Sequence, residues 1–345
     1  MILIFLYFPK RRRDCKSLKE GISLFRKKLT IAIPTYNRAV QLKMCLQRVL
    51  DQANDDVEIL VSDNCSVDAT EQYMRALVPQ CENVVYYRNA ENIGADRNFL
   101  NCFQKATGEY VMLLGDDDFL LSGAVDSILK ILDTHPVFVH LNSCNLLSSE
   151  PLQLSPPRLD AENYCTNDKN KMMEKIGIYI TFLSGMVLKT EFVQQIQNKE
   201  QYIGTYFIQS HIALQTMKNE GTYVIDGHNC LAASANLAVN YDVYYVWFKR
   251  YRELLMETGT ECGFDSDTMR HVFHDGLDDN ITNFVLQFRR SCFPQEKNWN
   301  KKYAWEALHD DPCMKRKFWG IINCPYALLP IYRRVLSIKR KRKDK

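Results

Sequence analysis

Tyr110-Val111-Met112-Leu113-Leu114-Gly115-Asp116-Asp117-Asp118 is the stretch around which the chain is organised. Five apolar or aromatic residues in a row read as a strand buried on both faces. One glycine later the chain sets three carboxylates side by side. Clustered oxygen donors at a strand exit suit a hard divalent cation, and such a cation suits a phosphorylated substrate. A solvated acidic turn ahead of a helix capped by Ser122 accounts for the same residues. The neighbouring strands have to decide between the two.

Apolar, strand-like runs begin at Leu29, Val57, Val84, Tyr110 and Val137, at intervals of 28, 27, 26 and 27 residues. Between them lie helical spacings: Leu42, Cys45, Leu46 and Val49; Tyr73, Met74 and Leu77; Phe99, Leu100 and Phe103; Val125, Ile128, Leu129 and Leu132. Strand–helix alternation at this pitch predicts an α/β fold, a doubly wound and mostly parallel sheet. Ligands of such sheets bind beyond the carboxyl ends of the strands.

The strand exits are therefore the places to read. The first opens into Pro34-Thr35-Tyr36-Asn37-Arg38, which has no glycine, so neither a dinucleotide-binding loop nor a P-loop is available. A proline turn, an aromatic, an amide and a guanidinium can instead grip a base and a ribose. The second opens into Ser62-Asp63-Asn64-Cys65-Ser66-Val67-Asp68. There Asp63 is the candidate for a base edge or ribose, and Asp68 with Glu71 reads as a capping box. The third runs through Arg88-Asn89-Ala90-Glu91-Asn92-Ile93-Gly94-Ala95-Asp96-Arg97-Asn98, rich in amide and guanidinium donors, with Asn92 and Arg97 as candidate contacts. The fourth delivers the aspartates. Four polar exits in register favour a nucleotide and its metal over an acidic turn.

Ile33-Pro34-Thr35-Tyr36-Asn37, Val61-Ser62-Asp63-Asn64 through Asp68, Glu91-Asn92-Ile93-Gly94 and Gly108-Glu109-Tyr110 through Asp118 resemble the ordered motifs of family 2 glycosyltransferases. The wording is most similar to the abequosyltransferase-like group of bacterial surface polysaccharide enzymes. The resemblance is strong from Leu29 to Leu132 and looser over the next hundred residues. It implies a GT-A fold, a nucleotide-sugar donor, a glycan acceptor and an inverting displacement assisted by Mn²⁺ or Mg²⁺. Carried over, it implies that Thr35, Asn37 and Asp63 contact the nucleotide and that Asp117 stands at the second carboxylate of the family's Asp-x-Asp motif. Gly115 stands where that motif has its first aspartate, leaving Asp116 or Asp118 to substitute. The site expected is thus Pro34, Thr35, Tyr36, Asn37, Arg38, Asp63, Asn64, Asn92, Arg97 and Asp116 on the nucleotide, with Asp116, Asp117 and Asp118 as metal candidates.

The resemblance also implies a base for the acceptor hydroxyl, an aspartate at the start of a helix. The matching region, Tyr206 to Leu214, has no carboxylate. His211 is the replacement by chemistry, since its ordinary pKa is near neutral. It also lies three residues from both Ile208 and Leu214, beside an apolar stripe, where a core histidine is at home. Asp226 is a second candidate, or a turn residue. Ser184 and Gly185, in Ile180 to Leu188, fall where the family faces its acceptor; the alternative is a buried strand with a glycine bulge.

These readings divide the chain into an apolar and basic leader over 1–28, a catalytic unit over 29–240 and a helical extension over 241–345. The unit splits into a nucleotide-sugar half, 29–141, and an acceptor half, 142–240. In the extension, Val243, Val246, Trp247, Tyr251 and Leu254, and then Ile281, Phe284, Val285 and Phe288, follow helical spacing. Charge separates function classes too. Net charge is +3, but Tyr332 to Lys345 alone carries +7, leaving the rest at −4. That argues against a nucleic-acid partner. The twelve cysteines sit singly without metal spacing, which reads as reduced thiols of a cytoplasmic protein. Two segments suit peripheral contact with the cytoplasmic face of an inner membrane: Met1 to Phe8 before Lys10-Arg11-Arg12-Arg13, and Phe318 to Tyr332 before the basic tail, although a disordered leader and a solvated tail account for them equally well. A polyprenyl-diphosphate-linked acceptor gives that contact a purpose. Two other readings remain: a sugar nucleotidyltransferase, disfavoured by the missing glycine-rich loop, and a catalytically silent glycan-binding relative.

Overall fold

The computed structural model describes residues 27–149, 151–160, 162–234, 241–292, 295–332 and 334. The expectations for Met1 to Phe8 with Lys10 to Arg13, and for the end of the basic tail, lie outside these residues.

The first half follows the apolar rhythm. Strands β1 (Lys27–Thr35), β2 (Val57–Asp63), β3 (Val84–Arg88) and β4 (Gly108–Leu113) pair in parallel in the order β3-β2-β1-β4. β2 is buried along its whole length and β1 from Leu29 onward, which is why both read as continuous apolar runs rather than alternating ones. Register matters for the site: Thr35 stands opposite Asp63, and Asp63 opposite Arg88, so the first three strands release their loops at one level.

Helices α1 (Ala39–Leu50), α2 (Thr70–Leu77), α3 (Ala95–Lys105) and α4 (Ala124–Leu132) return the chain. Leu42, Cys45, Leu46 and Val49 of α1 are buried, as their spacing predicts. Two helix starts differ from expectation. Gly123, in the left-handed region at φ +80°, precedes α4 where Ser122 was expected to cap. Asp68 accepts from Thr70 N–H ahead of α2 but also from Ala39 N–H at the start of α1, while Glu71 pairs with Arg75 and Arg88. The carboxylate of Asp68 thus ties two helix starts together, which a capping box would not do.

The second half extends the same sheet. β5 (Phe119–Leu120), β6 (Phe138–Ser149), β7 (Leu152–Leu154), β8 (Tyr164–Thr166), β9 (Met186–Lys189) and β10 (Tyr223–Ser234) complete ten strands among the described residues. β9 lies antiparallel between β4 and β6, and β10 is parallel to β6 with a bulge between Asp226 and Leu231. The strands on either side of residue 141 therefore belong to one hydrogen-bonded sheet.

One sheet face packs Leu29, Ile31, Ile33 and Ile59 against α1 and α4. The other packs Ala32, Leu60, Val111 and Leu113 against α3, α5 (Lys169–Ile176) and α7 (Ile208–Thr216), α6 being Thr190–Gln195. The extension belongs to this second core: Val243, Val246, Tyr251, Leu254, Ile281, Val285 and Phe318 are buried in it. Its helices include π-helical turns at Tyr245–Arg250, Leu254–Gly259 and Gly276–Ile281. The described cysteines are free thiols, most of them buried.

Candidate active site

A cleft of about 400 Å³ opens beyond the carboxyl ends of β1, β2 and β4. Pro34, Thr35, Tyr36, Arg38, Asn64, Asn92, Asp116 and Asp117 line it, together with Gly94, Ala95, Asn98, Phe99, Gly115 and Leu183. A site of this size at the strand exits is where an open α/β sheet binds small ligands.

The three aspartates face two ways. Asp116 accepts from Thr35 Oγ1 at 2.7 Å and meets the Arg38 guanidinium at 3.3 Å. Asp117 is partly exposed, and its Oδ2 accepts a charge-assisted bond from the same guanidinium. One cation is thus held between two carboxylates at the cleft wall. Asp118, expected as an alternative metal ligand, is turned away: its Oδ2 accepts from Ser184 Oγ at 2.6 Å and its Oδ1 from Ser234 N–H at 2.9 Å. The glycine that departs from the family wording has a steric reason here. A Cβ at Gly115 would stand 3.0 Å from Asp118 Oδ2. Burial pushes both Asp116 and Asp118 up to about 6, against the downward pull of Thr35 and Arg38 on one and of Ser184 and Ser234 on the other.

Asparagines build the opposite wall. Asn64 Oδ1 accepts from Ile93 N–H and Asn89 Nδ2, and Asn64 Nδ2 donates to Asn92 Oδ1. Asn98 is almost fully buried and donates to Ser62 O while accepting from Ser62 Oγ and Asn89 Nδ2. This network locks the second and third strand exits against each other. Asn98, Phe99, Gly94, Ala95 and Leu183 were not among the residues expected. Gly94, Ala95 and Asn98 belong to a stretch already singled out for its donors and Phe99 to the helical spacing after it, whereas Leu183 lay in a stretch read for the acceptor.

Three expected nucleotide contacts do not line the cleft. Asn37, at φ +53°, donates its N–H to Ser66 Oγ and accepts from Val67 N–H, pinning the first exit to the second. Asp63 is fully buried and accepts from Ser66 N–H and Tyr86 OH, with Arg88 at 3.5 Å. Arg97 is exposed on the first turn of α3. The acceptor candidates sit in a 3₁₀ turn, Leu183–Gly185, rather than a strand. Ser184 is fully buried, accepting from Gly115 N–H and donating to Asp118, and Phe182 crowds Gly185.

His211 is not brought to the cleft. It is 4 % exposed within α7, stacks on Tyr202 with ring centroids 4.4 Å apart, and shares a 2.8 Å hydrogen bond with Thr258 through Nδ1. Burial, helped by the charge of Arg250, lowers it to about 3. This geometry is that of a packing histidine. Asp226 is also fully buried, accepting from Ser127, Cys230 and His228 at the β10 bulge. Among the described residues that line the cleft, the ionisable ones are Tyr36, Arg38, Asp116 and Asp117.

Residues 30–196 match the family model described as Glycosyl transferase family 2, and this part of the chain belongs to that family. Two curated relatives carry the resemblance further. The chain is 30% identical over 211 residues to the abequosyltransferase of Salmonella typhimurium, covering 56% of this chain and 62% of the relative. It is 36% identical over 104 residues to the GalNAc(5)-diNAcBac-PP-undecaprenol beta-1,3-glucosyltransferase of Campylobacter jejuni, 30% of this chain and 34% of that one. The chain thus spans less than two thirds of either relative. In structure it is similar to S. aureus TarS 1-349 in complex with UDP-GlcNAc, with a TM-score of 0.60, 13% identity and 81% of each chain covered. At that identity the likeness concerns the fold, which is GT-A.

Proposed function

We propose that this protein transfers one sugar from a nucleotide-sugar donor to a hydroxyl of a glycan acceptor, in the assembly of a bacterial surface polysaccharide of O-antigen or capsular type. The observation that carries the proposal is the cleft itself, with the Asp116 and Asp117 carboxylates at the carboxyl end of the sheet. The family membership of residues 30–196 and the relatives' printed activities support it.

The walls suit a nucleotide. Tyr36 presents an exposed ring for a base, and Thr35, Asn64 and Asn92 present polar edges at hydrogen-bonding reach of the same space. Arg38 is the cleft's guanidinium, matched to a diphosphate by charge and by its planar fork.

A divalent cation fits the same wall. Asp116 and Asp117 already hold a cationic group between them, and carboxylate oxygens are the hard donors Mn²⁺ and Mg²⁺ prefer. Asp117, with Asp116 behind it, would hold the ion; two protein carboxylates suffice where diphosphate oxygens and water complete the shell. A bound ion supplies positive charge to the departing nucleoside diphosphate. Asp118 holds the acidic loop from below, and Thr35 fixes the rotamer of Asp116. Inversion at the anomeric carbon is the stereochemistry the family implies. A lipid-linked acceptor, such as the undecaprenol-linked glycan in the name of the Campylobacter relative, would place the enzyme at the cytoplasmic face of a membrane.

A nucleotide panel tests this reading by thermal shift, with UDP, GDP, CDP and dTDP each added with Mn²⁺ or with chelator. A ligand that binds the native state raises its melting temperature by mass action. The expected result is a metal-dependent rise with one nucleotide, lost in Asp117→Ala. No rise with any nucleotide sinks the proposal.

A further inference from the structure

Among the described residues, the exposed large apolar side chains of the extension all lie between Trp319 and Ile331. Trp319 is 64% exposed, Ile331 63%, Leu328 49% and Tyr326 39%. Trp319 belongs to the helix Pro312–Asn323, in which Phe318, Ile321 and Ile322 are fully buried. Within the Phe318 to Tyr332 stretch expected to suit membrane contact, Phe318, Ile321, Ile322 and Leu329 are therefore core, and Trp319 flanks that buried face. The chain then turns through Tyr326–Leu328, Leu329 inserts into the core, and the hydroxyl end of the Tyr332 side chain reaches Gly320, where an added Cβ would displace it. That contact returns the chain at Tyr332 to the residue that follows Trp319.

The mount is rigid. Arg289, buried, donates to Ile321 O at 2.6 Å and Cys324 O at 2.8 Å, fixing the end of the helix. Lys317 is held by Asp278. Lys315 and Arg316 are exposed on the same helix. The stretch Tyr332 to Lys345 follows directly with eight Lys or Arg against one Asp.

We propose that Trp319, Tyr326, Leu328 and Ile331 form a docking surface for an anionic lipid leaflet, with the basic stretch after Tyr332 neutralising its headgroups. The surface has the composition that interfacial seating requires: an indole, a phenol and two aliphatic side chains beside lysines and arginines. Anionic headgroups attract each nearby basic residue, whereas the apolar side chains insert irrespective of charge. The contact is one of seating and not of crossing, since no described helix is long and apolar enough to span a membrane. This inference does not rest on the proposed reaction.

Co-sedimentation of the full chain with vesicles tests it, using phosphatidylcholine alone and phosphatidylcholine with one-third phosphatidylglycerol. The expected result is strong binding to the anionic vesicles, at least tenfold weaker in the triple variant Trp319→Ser, Leu328→Ser, Ile331→Ser. The charge variant Lys339→Glu, Arg340→Glu, Lys341→Glu is expected to lose binding at least tenfold and to lose most of its salt dependence. Trp319, Leu328 and Ile331 lie outside the cleft, and an unchanged melting temperature of either variant shows that its fold is retained. Wild-type binding to neither vesicle overturns the inference. So does a triple variant that binds like wild type. Sedimentation velocity adds a third outcome: a dimer dissolved by the triple variant would assign the surface to a second copy and overturn the lipid partner.

Discussion

The strand exits and helix α7 make an instructive pair. Both carry polar, ionisable side chains in the part of the chain read for chemistry. At the strand exits the backbone ends in register, so side chains with no place inside the sheet project together into one cleft. In α7 the polar residues Gln209, Ser210 and His211 are as buried as their apolar neighbours. Gln209 donates to Thr181 O and His211 bonds Thr258, so they are spent on holding the helix in place. Chemistry is marked less by residue type than by what the backbone does next to it.

The largest expected break in that contrast comes from Asp117. Asp117→Asn keeps the shape and removes the charge at the cleft wall. Turnover of the donor identified by the panel should fall roughly 100- to 1,000-fold, the scale of losing one preorganised electrostatic contact, with an unchanged melting temperature. A loss under tenfold would detach the acidic loop from the reaction.

Asp116→Asn sharpens the comparison through pH. The carboxyl of Asp116 is raised by burial from 3.8 to about 6. A carboxylate raised on folding destabilises the native state when ionised, and native stability is regained as pH falls through about 6 toward 4. In chelator, the variant should therefore be the more stable protein at pH 8 by roughly 3 kcal/mol. The advantage should shrink through pH 6 and vanish near pH 4. Parallel stability curves for the two proteins would show that burial is not what sets this group.

His211→Gln should have the smallest effect on turnover, within about threefold. Its cost should appear in stability instead, on the order of 1 kcal/mol, from the lost Tyr202 stack and Thr258 bond. A loss of turnover above a hundredfold with a shifted pH profile would return His211 to the reaction as its base.

The parallel strands and their helices were legible because long apolar runs at a steady pitch have few other folded solutions. The cleft was legible at Pro34, Thr35, Tyr36 and Arg38 and at Asp116 and Asp117 because strand exits are predictable once the strands are. The roles inside it were less so. Asp63 looked like a ligand contact from its position but is consumed by Ser66, Tyr86 and Arg88. Asp118 was indistinguishable from Asp116 and Asp117 in the sequence. Its partners Ser184 and Ser234 lie 66 and 116 residues away, and no local pattern encodes a contact at that distance. For His211 the apolar spacing already offered the packing role, and tertiary burial decided it.

Strand β9 has a further consequence, in the order of synthesis. It fills the place between β4 and β6, although it leaves the ribosome after both. Until Lys189 has emerged, two strand edges face each other without a partner, and unpaired edges are templates for association with other chains. The gap between β4 and β6 therefore closes at β9, and the other edge of β6 waits for β10. A chain cut at residue 141 would keep the aspartates and lose the strand that seals the sheet beside them.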